Sequence, residues 1–294
     1  MDYIPAKHLL HRSKSTSWFG TDHTMNLYRG CCHGCLYCDS RSACYQNPDF
    51  DRVKAKADAL RLLRDDLARK AKPAFITMGS MSDPYNPFEK ELQLTRHALE
   101  LIDAYQCGVA VATKSDLIVR DMDLYRMIQD HSPVICKLTI TTTDDALAAK
   151  IEPHAPPPSH RLQALEELSK AGIFSGVLLM PVLPFVEDSA ENVLSVVDSA
   201  ARAGARFVYA AFGVTMRDGQ RDYFLNGLDR AFPGMGERYR RRYGSRYYCS
   251  SPRAKELWQL FSARCKELGL LHEMRHIISA ATRSYQDRQL SFFD

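Results

Sequence analysis

The sequence predicts an α/β fold, a partial (β/α)6 barrel of the TIM type with a short, mainly helical C-terminal extension. Two observations predict this fold. Short apolar runs alternate along the chain with segments of helical periodicity, and the connections between them are short, which implies parallel strands joined by right-handed crossovers. The 294 residues, of which 45% are hydrophobic and 25% charged, suffice for one large α/β domain with a sizeable core.

Six strand-like runs form the predicted sheet. Each is a short run of mostly apolar residues bounded by polar or turn-forming residues. Because the functional side chains of such barrels gather where the strands end, we expect the site at the carboxyl ends of these runs. The runs are Met25–Tyr28, Ala74–Met78, Gly108–Ala112, Val134–Ile140, Gly176–Met180 and Arg206–Ala210.

A helix is predicted after each of the first five strands. Residues 86–89 and 188–191 have the composition of helix starts, and Gly172 and Gly204 are placed as left-handed C-caps. The helices are marked by Val53, Ala57, Leu60, Leu63 and Leu67, by Leu94, Ala98, Leu101, Ile102 and Tyr105, and by the segments Met122–Gln129, Arg161–Ala171 and Ala190–Ala203.

The chain divides into three predicted parts. Residues 1–24 form an N-terminal extension, residues 25–215 the partial barrel, and residues 216–294 a C-terminal extension packed on the barrel. The last part is first rich in arginine and tyrosine and then helical from about Pro252 to Leu268. No apolar run is long enough to span a membrane, and the N-terminus lacks the layout of a signal peptide, so we expect a cytoplasmic protein.

Three cysteines follow the first predicted strand with the spacing C-x3-C-x2-C. Thiolates of Cys31, Cys35 and Cys38 on one tight loop can hold three irons of a [4Fe–4S] cluster and leave the fourth iron open, as a catalytic metal site requires. The alternative is a zinc site with Cys32 or His33 as a fourth ligand, although no second C-x-x-C pair exists to complete a zinc ribbon. Outside this loop, Cys107, Cys136 and Cys265 are predicted to be buried structural thiols.

The cysteine loop and several further segments resemble the radical S-adenosylmethionine (SAM) superfamily, in its spore photoproduct lyase-like branch. These segments occur in the expected order over roughly residues 26–184. They are Arg29–Cys38, Ser82–Tyr85, Ala112–Ser115, Arg120–Leu124, Ile151–Pro153 and Lys170–Ile173.

The resemblance implies a [4Fe–4S] cluster and SAM as cofactors. The open iron of the cluster would bind the amino and carboxylate groups of SAM. An electron from the cluster would then cleave the S–C5′ bond to give a 5′-deoxyadenosyl radical that abstracts hydrogen from a substrate. The resemblance also implies positions for four residues, with Tyr37 at the adenine, Ser82 near the amino group, Lys114 at the carboxylate, and Thr141 along the ribose or methionine. A reductant protein of the flavodoxin or ferredoxin type is the implied partner.

The sequence departs from the lyase itself at two positions. The lyase uses a cysteine on the second-strand loop to return hydrogen to the product radical, assisted by a tyrosine just after the third cluster ligand. This chain has Ser80 and Asp39 there. A serine O–H is a far poorer hydrogen-atom donor than a thiol, so the departure argues against photoproduct repair and leaves the substrate unassigned.

Besides the radical SAM enzyme, the sequence leaves two further hypotheses open, a zinc metalloprotease and a non-catalytic Fe–S protein. His272, Glu273 and His276 match H-E-x-x-H, the zinc motif of metalloproteases, in which a helix carries both imidazoles on one face. A third hypothesis is a non-catalytic Fe–S protein in which Cys32 or His33 closes the fourth iron.

A basic and aromatic segment lies in the C-terminal part. Seven arginines stand against two acidic residues between Asp229 and Arg253, and four tyrosines interleave with them in residues 238–248. Because basic residues follow phosphates and aromatic rings stack on bases, the Arg238–Tyr248 region is a candidate nucleic-acid-binding surface. The alternative is a solvated basic helix whose tyrosines pack on the barrel.

Overall fold

The computed structural model describes residues 1–286. The strands, β1 to β12 in chain order, are Asp2–Ile4, His11–Arg12, His23–Met25, Tyr28–Arg29, Lys54–Lys56, Phe75–Met78, Gly108–Thr113, Val134–Thr139, Ser175–Leu179, Phe207–Ala210, Gly213–Thr215 and Tyr248–Ser250. The helices, α1 to α11, are Ala59–Ala68, Glu89–Leu92, Leu94–Ala104, Met122–Gln129, Asp145–Ile151, Pro158–Lys170, Ala190–Arg202, Gln220–Ala231, Met235–Tyr243, Ala254–Glu267 and Met274–Gln286. Short 3₁₀ helices cover Asp39–Arg41, Ala43–Tyr45 and Asp116–Asp121.

A seven-stranded sheet organises the molecule, in the order β10-β9-β8-β7-β6-β3-β2. Six of its strands pair in parallel, namely β3, β6, β7, β8, β9 and β10. Only the edge strand β2 runs antiparallel to its neighbour β3. Helices occupy the crossovers between these parallel strands. The predicted partial (β/α)6 barrel is therefore confirmed, and part of the N-terminal extension, through β2, forms one edge of its sheet.

Two smaller sheets lie outside the barrel sheet. Strands β1, β5 and β4 form one of them, and β11 pairs antiparallel with β12 in the other. The second sheet joins the end of the barrel to the arginine-rich C-terminal part. Beyond it, α10 packs on α7, and Leu271 bridges to Phe207 at the free edge of β10.

The first predicted strand and the first predicted helix are partly wrong. Strand β3 ends at Met25, and Tyr28 belongs to β4 in the smaller sheet, where it pairs with Ala55. The apolar pattern that predicted a helix from Val53 is a strand at first, with Ala55 buried between two half-buried lysines. Asp58 then adopts a left-handed conformation (φ 54°) that separates this strand from α1. Short apolar runs are compatible with both helical and strand periodicity, and here pairing with a neighbouring strand determined that the segment is a strand.

The predicted helix ends agree better with the structure. Ser189 caps α7 by accepting a hydrogen bond from the backbone of Asn192 at 3.0 Å, and Gly172 and Gly204 both end helices with φ of +76°. The start predicted at residues 86–89 opens only the short helix α2. Gln93, in a left-handed conformation, separates α2 from α3.

The two faces of the sheet bury different cores. Alternate strand residues such as Cys136 pack beneath the helices, whereas Ile135 faces a second cluster with Phe19 and Phe207. Ile277 of α11 belongs to that second cluster. The N-terminal segment and α11 thus fill the concave face at the lower end of the barrel and leave its upper end for the site. No helix within residues 1–286 has the length and apolar character needed to cross a membrane.

Candidate active site

A cavity of about 330 Å³ opens at the carboxyl ends of the barrel strands. It is lined from one side by the loop after β4 and from the other by the loops that follow β6 and β7. Six of the residues predicted to bind the cluster or SAM share this cavity, namely Cys31, Cys35, Cys38, Tyr37, Ser82 and Lys114. Thr141, the seventh, is not among the lining residues.

The cysteine loop is held tightly by backbone contacts at both ends. The Cys31 N–H donates to the Phe50 carbonyl at 2.8 Å, and the Leu36 N–H donates to the Ile151 carbonyl at 2.9 Å. Gly34 has φ of +70°, and a Cβ built there would lie 2.9 Å from the ring of His154. Glycine is therefore required at this position both for conformation and for space.

The donor set fits a cluster better than a single metal ion. Among the described residues, no three His, Cys, Asp or Glu side chains converge closely enough to hold one ion. A zinc ion would need its thiolates at about 2.3 Å from one centre. In a [4Fe–4S] cluster, by contrast, each cysteine binds a different iron. Of the two fourth zinc ligands suggested by the sequence, Cys32 faces a different cavity, whereas His33 lines the cavity of the thiols with its Nδ1 3.5 Å from Asp83.

The thiols need positive charge nearby to ionise. Burial raises the pKa of Cys31 to about 12 and also raises the pKa of Cys35 and Cys38. Since thiolates are the metal-binding form, cations must compensate them, and bound iron would supply that charge. The Lys114 ammonium already contributes, because its charge lowers the pKa of both Cys35 and Cys38.

Lys114, directly after β7, carries a half-buried positive charge. Burial by itself would lower its pKa, but the Cys35 thiol and Glu152 outweigh that effect and raise it. The ammonium lies 5.4 Å from the centroid of the Tyr37 ring. A protonated lysine in this cavity is well suited to bind a carboxylate.

Asp83 fixes the loops on which Ser82 and Lys114 stand. Its carboxylate accepts hydrogen bonds from the Thr113 hydroxyl at 2.6 Å and from the backbone N–H groups of Lys114 at 2.8 Å and Tyr85 at 2.9 Å. The Ser82 hydroxyl donates to the Gly30 carbonyl at 2.6 Å. This leaves the lone pairs of the Ser82 oxygen available to an ammonium group.

Tyr37 is held by a buried ion pair that the sequence motifs did not reveal. Its hydroxyl donates to Glu152, which in turn pairs with Arg161 at 2.6 Å. Burial opposes ionisation of Glu152, but Arg161 and Lys114 outweigh it and hold the pKa of that carboxyl below its usual value. The tyrosine ring is thereby fixed at the cavity wall.

Thr141 is buried, outside the residues that line the cavity, and close to a second buried carboxyl. Burial raises the pKa of that carboxyl, Glu187, to about 8, although the Thr141 side chain acts to lower this pKa. The Glu187 Oε2 accepts a hydrogen bond from the Leu183 N–H at 3.0 Å. Thr139, two residues earlier on β8, does line the cavity. Sequence reasoning missed Glu187 and Arg161, because nothing local distinguishes either residue from a surface charge.

The H-E-x-x-H match does not form a metal site in the structure. Helix α11 begins at Met274, so His272 lies before it, buried with its ring 5.9 Å from that of Phe261. His276 is half-exposed on the first turn. The two imidazoles therefore do not share a helical face, and the metalloprotease alternative is not supported.

The tyrosines of the basic segment separate into two groups. Tyr239 and Tyr243 are buried, as the alternative interpretation predicted, and Tyr239 donates to the Pro184 carbonyl. Tyr247 and Tyr248 are exposed, and Tyr248 lines the mouth of the cavity. The guanidinium of Arg217 lies 5.5 Å from the centroid of the Tyr247 ring.

The fold and the site together define a partial α/β barrel whose upper end carries a three-cysteine loop beside a cavity of about 330 Å³. A family model for the Radical SAM superfamily matches residues 25–210. The chain belongs to this superfamily. Its members use a [4Fe–4S] cluster and SAM, and the protein is a radical SAM enzyme that depends on an external reductant.

Similar proteins include uncharacterised relatives and solved radical SAM enzymes. An uncharacterised protein of Mycobacterium tuberculosis is 32% identical over 228 residues, which cover 75% of this chain and 67% of that protein. One from Methanocaldococcus jannaschii is 33% identical over 169 residues, covering 58% of this chain and 63% of that protein.

Two solved structures share the fold at low identity. A spore photoproduct lyase mutant has a TM-score of 0.68 at 16% identity, covering 92% of this chain and 81% of that chain. The methyltransferase TsrM from Kitasatospora setae, solved with cobalamin and a [4Fe–4S] cluster bound, has a TM-score of 0.57 at 11% identity, covering 90% and 61%.

Proposed function

We propose that this protein holds its cluster through Cys31, Cys35 and Cys38 and uses it to cleave SAM for hydrogen abstraction from a substrate. When bound, the cluster would supply the one electron needed to cleave the S–C5′ bond of SAM, which would give methionine and a 5′-deoxyadenosyl radical. The observation that carries the proposal is the single cavity shared by the three thiols, Lys114 and Ser82.

The side chains around the cavity then bind and orient SAM. The Lys114 ammonium pairs with the carboxylate, and the Ser82 oxygen accepts from the amino group. The Tyr37 ring, fixed by Glu152, lies against the adenine. Thr141, predicted along the ribose or methionine, does not line the cavity; Thr139, two residues earlier on β8, lines it and is better placed for that contact.

The substrate class that we favour is a nucleic acid. Exposed Tyr248 lines the cavity, and its neighbour Tyr247 is exposed with Arg217 beside its ring, so that bases could stack on the rings while the guanidinium meets a phosphate. Photoproduct repair does not fit, because Ser80 and Asp39 line the cavity where the lyase has its hydrogen-donating cysteine and assisting tyrosine. The reductant is a protein of the flavodoxin or ferredoxin type.

Anaerobic reconstitution followed by incubation with SAM tests the proposal. About four irons per chain and formation of 5′-deoxyadenosine under dithionite are expected, and Cys35→Ala abolishes both. Cys44→Ala is the matched control, since Cys44 is exposed and outside the cavity, and it should retain both. Uptake of zinc alone would contradict the cluster. A reduced cluster whose EPR spectrum does not change when SAM is added would indicate a non-catalytic Fe–S protein instead.

A further inference from the structure

A second cavity, of about 620 Å³, lies directly behind the cysteine loop. The residues of the loop face the two cavities in strict alternation. The odd-numbered residues from Cys31 to Tyr37 line the cavity described above, and the even-numbered residues Cys32, Gly34 and Leu36 line the second one. The loop is therefore a wall one residue thick between the candidate cluster site and a recess on the opposite side, which we call the rear recess.

The floor of the rear recess is rigidly packed against the loop. Gly227 of α8 approaches so closely that a Cβ there would lie 2.6 Å from Leu36. The Tyr223 hydroxyl lies 3.5 Å from the Gly34 carbonyl, and the guanidinium of Arg41 stacks 3.8 Å above the Tyr223 ring. A partner docked here would meet a preformed surface in contact with the loop that carries the thiols.

The charges that line the rear recess are predominantly positive. Its one acidic side chain, Asp51, is already paired with Arg41. Lys150 and Arg230 line the recess and form no ion pair within the part of the chain that the structure describes. Helix α9 packs on α8 and carries further exposed arginines, among them Arg241 and Arg242. The surface therefore favours an acidic partner.

We propose that the rear recess is the docking site of the electron donor, an acidic one-electron carrier protein such as a flavodoxin. The inference rests on the proposed function. The reduced flavin loses one electron and the cluster gains it, so no bond needs to form or break. Position favours this partner over a nucleic acid substrate, because an electron can cross a wall one residue thick. Hydrogen abstraction, by contrast, needs the substrate inside the other cavity.

Charge reversal at the recess tests the proposal by direct binding. The dissociation constant of the reconstituted protein for a bacterial flavodoxin should rise at least tenfold at low salt in the double variant Lys150→Glu/Arg230→Glu. The weaker variant Lys150→Gln/Arg230→Gln should give an intermediate value, and the wild-type affinity should fall with added salt. The matched control reverses two exposed lysines of α10, Lys255→Glu/Lys266→Glu, and should bind like wild type.

Turnover separates this inference from the proposed function. With flavodoxin and its NADPH-dependent reductase, 5′-deoxyadenosine formation in the Glu variant should fall about as much as binding does. With dithionite, a small reductant that needs no docking, the rate should equal that of wild type. Unchanged flavodoxin affinity in the double variant would overturn the inference, as would loss of oligonucleotide binding with flavodoxin binding kept. A wild-type protein that fails with dithionite contradicts the proposed function, whereas the binding result still decides the docking site.

Discussion

Glu152 and Arg161 form an ion pair at 2.6 Å in which each side chain is only 1% exposed. The pair joins the loop after α5 to α6. Arg161 also donates to the Thr139 carbonyl at 2.9 Å, at the end of β8. Because the Tyr37 hydroxyl donates to Glu152, one buried pair connects the cysteine loop, a barrel strand and a helix. Breaking it should affect stability and the site together.

Removing the arginine alone should be strongly destabilising. Arg161→Met leaves the Glu152 carboxylate buried without its partner, and we expect the free energy of unfolding in urea to fall by about 3–5 kcal/mol. The double variant Glu152→Met/Arg161→Met should recover much of this loss. Arg264→Met is the control, since its pair with Asp198 is about one-third exposed and screened by solvent. Equal effects at both sites would show that the buried pair has no special role.

Lys114 should matter more to SAM than to the cluster, because bound iron would supply most of the charge that compensates the thiolates. Lys114→Met removes the cation proposed to bind the SAM carboxylate, and we expect 5′-deoxyadenosine formation to fall about 10- to 100-fold. Iron content should stay that of wild type. Lys170→Met, at an exposed position on α6, serves as the control. Undiminished turnover would refute the assignment, and loss of iron would show that Lys114 acts on the cluster loop instead.

Lys137 should make stability depend on pH in the alkaline range. Its ammonium is fully buried on β8, makes no hydrogen bond among the described residues, and has a pKa lowered by burial from 10.5 to about 7. Between these values the unfolded chain binds a proton that the folded chain does not. The free energy of unfolding should therefore rise with pH from 7 towards 10.5, by up to about 1.4 kcal/mol per unit.

Substitution isolates this contribution. Lys137→Met removes the unpaired amine and should stabilise the protein at pH 7 by about 1–3 kcal/mol, with a flatter profile of stability against pH above 8. Denaturant unfolding at several pH values measures both effects. A variant less stable than wild type at pH 7 would mean that the amine has a stabilising role.

Glu187 should produce the opposite dependence at lower pH. Burial raises its pKa from 4.5 to about 8, so between these values the folded chain holds a proton that the unfolded chain has lost. Stability should therefore fall as pH rises from about 4.5 to 8. Glu187→Gln keeps the shape of the neutral acid and should flatten the profile in this window. A profile identical to that of wild type would exclude the buried neutral carboxyl.

The rim of the cavity should bind single-stranded nucleic acid in a salt-dependent way. Tyr247→Ala removes an exposed ring and should weaken binding of a single-stranded oligonucleotide about 5- to 100-fold in fluorescence anisotropy. The matched control is Trp258→Ala, which removes an exposed ring from α10. Affinity should drop steeply with added salt. A wild-type protein that does not bind at low salt would dismiss this substrate class.

Motif spacing and periodicity predicted the parts of this protein that depend on local sequence. The parallel strands of the barrel, the C-caps at Gly172 and Gly204 and the cysteine loop all have short-range signals. The errors at Met25–Tyr28 and at Val53 arose where strand pairing across more than twenty residues overrode an ambiguous apolar pattern. In the basic segment, contacts with the barrel determine whether a tyrosine is buried, as Tyr239 is, or exposed, as Tyr247 is.

The sequence by itself determined the fold class and the superfamily, and it predicted the three cluster thiols, because strand period, helix caps and ligand spacing are properties of neighbouring residues. Only the tertiary structure decided which charges are buried and paired, such as Glu152 with Arg161, and which are left unpaired, such as Lys137. It also decided that the cysteine loop separates two cavities. Burial and pairing depend on residues far apart in the chain, and no local pattern records them.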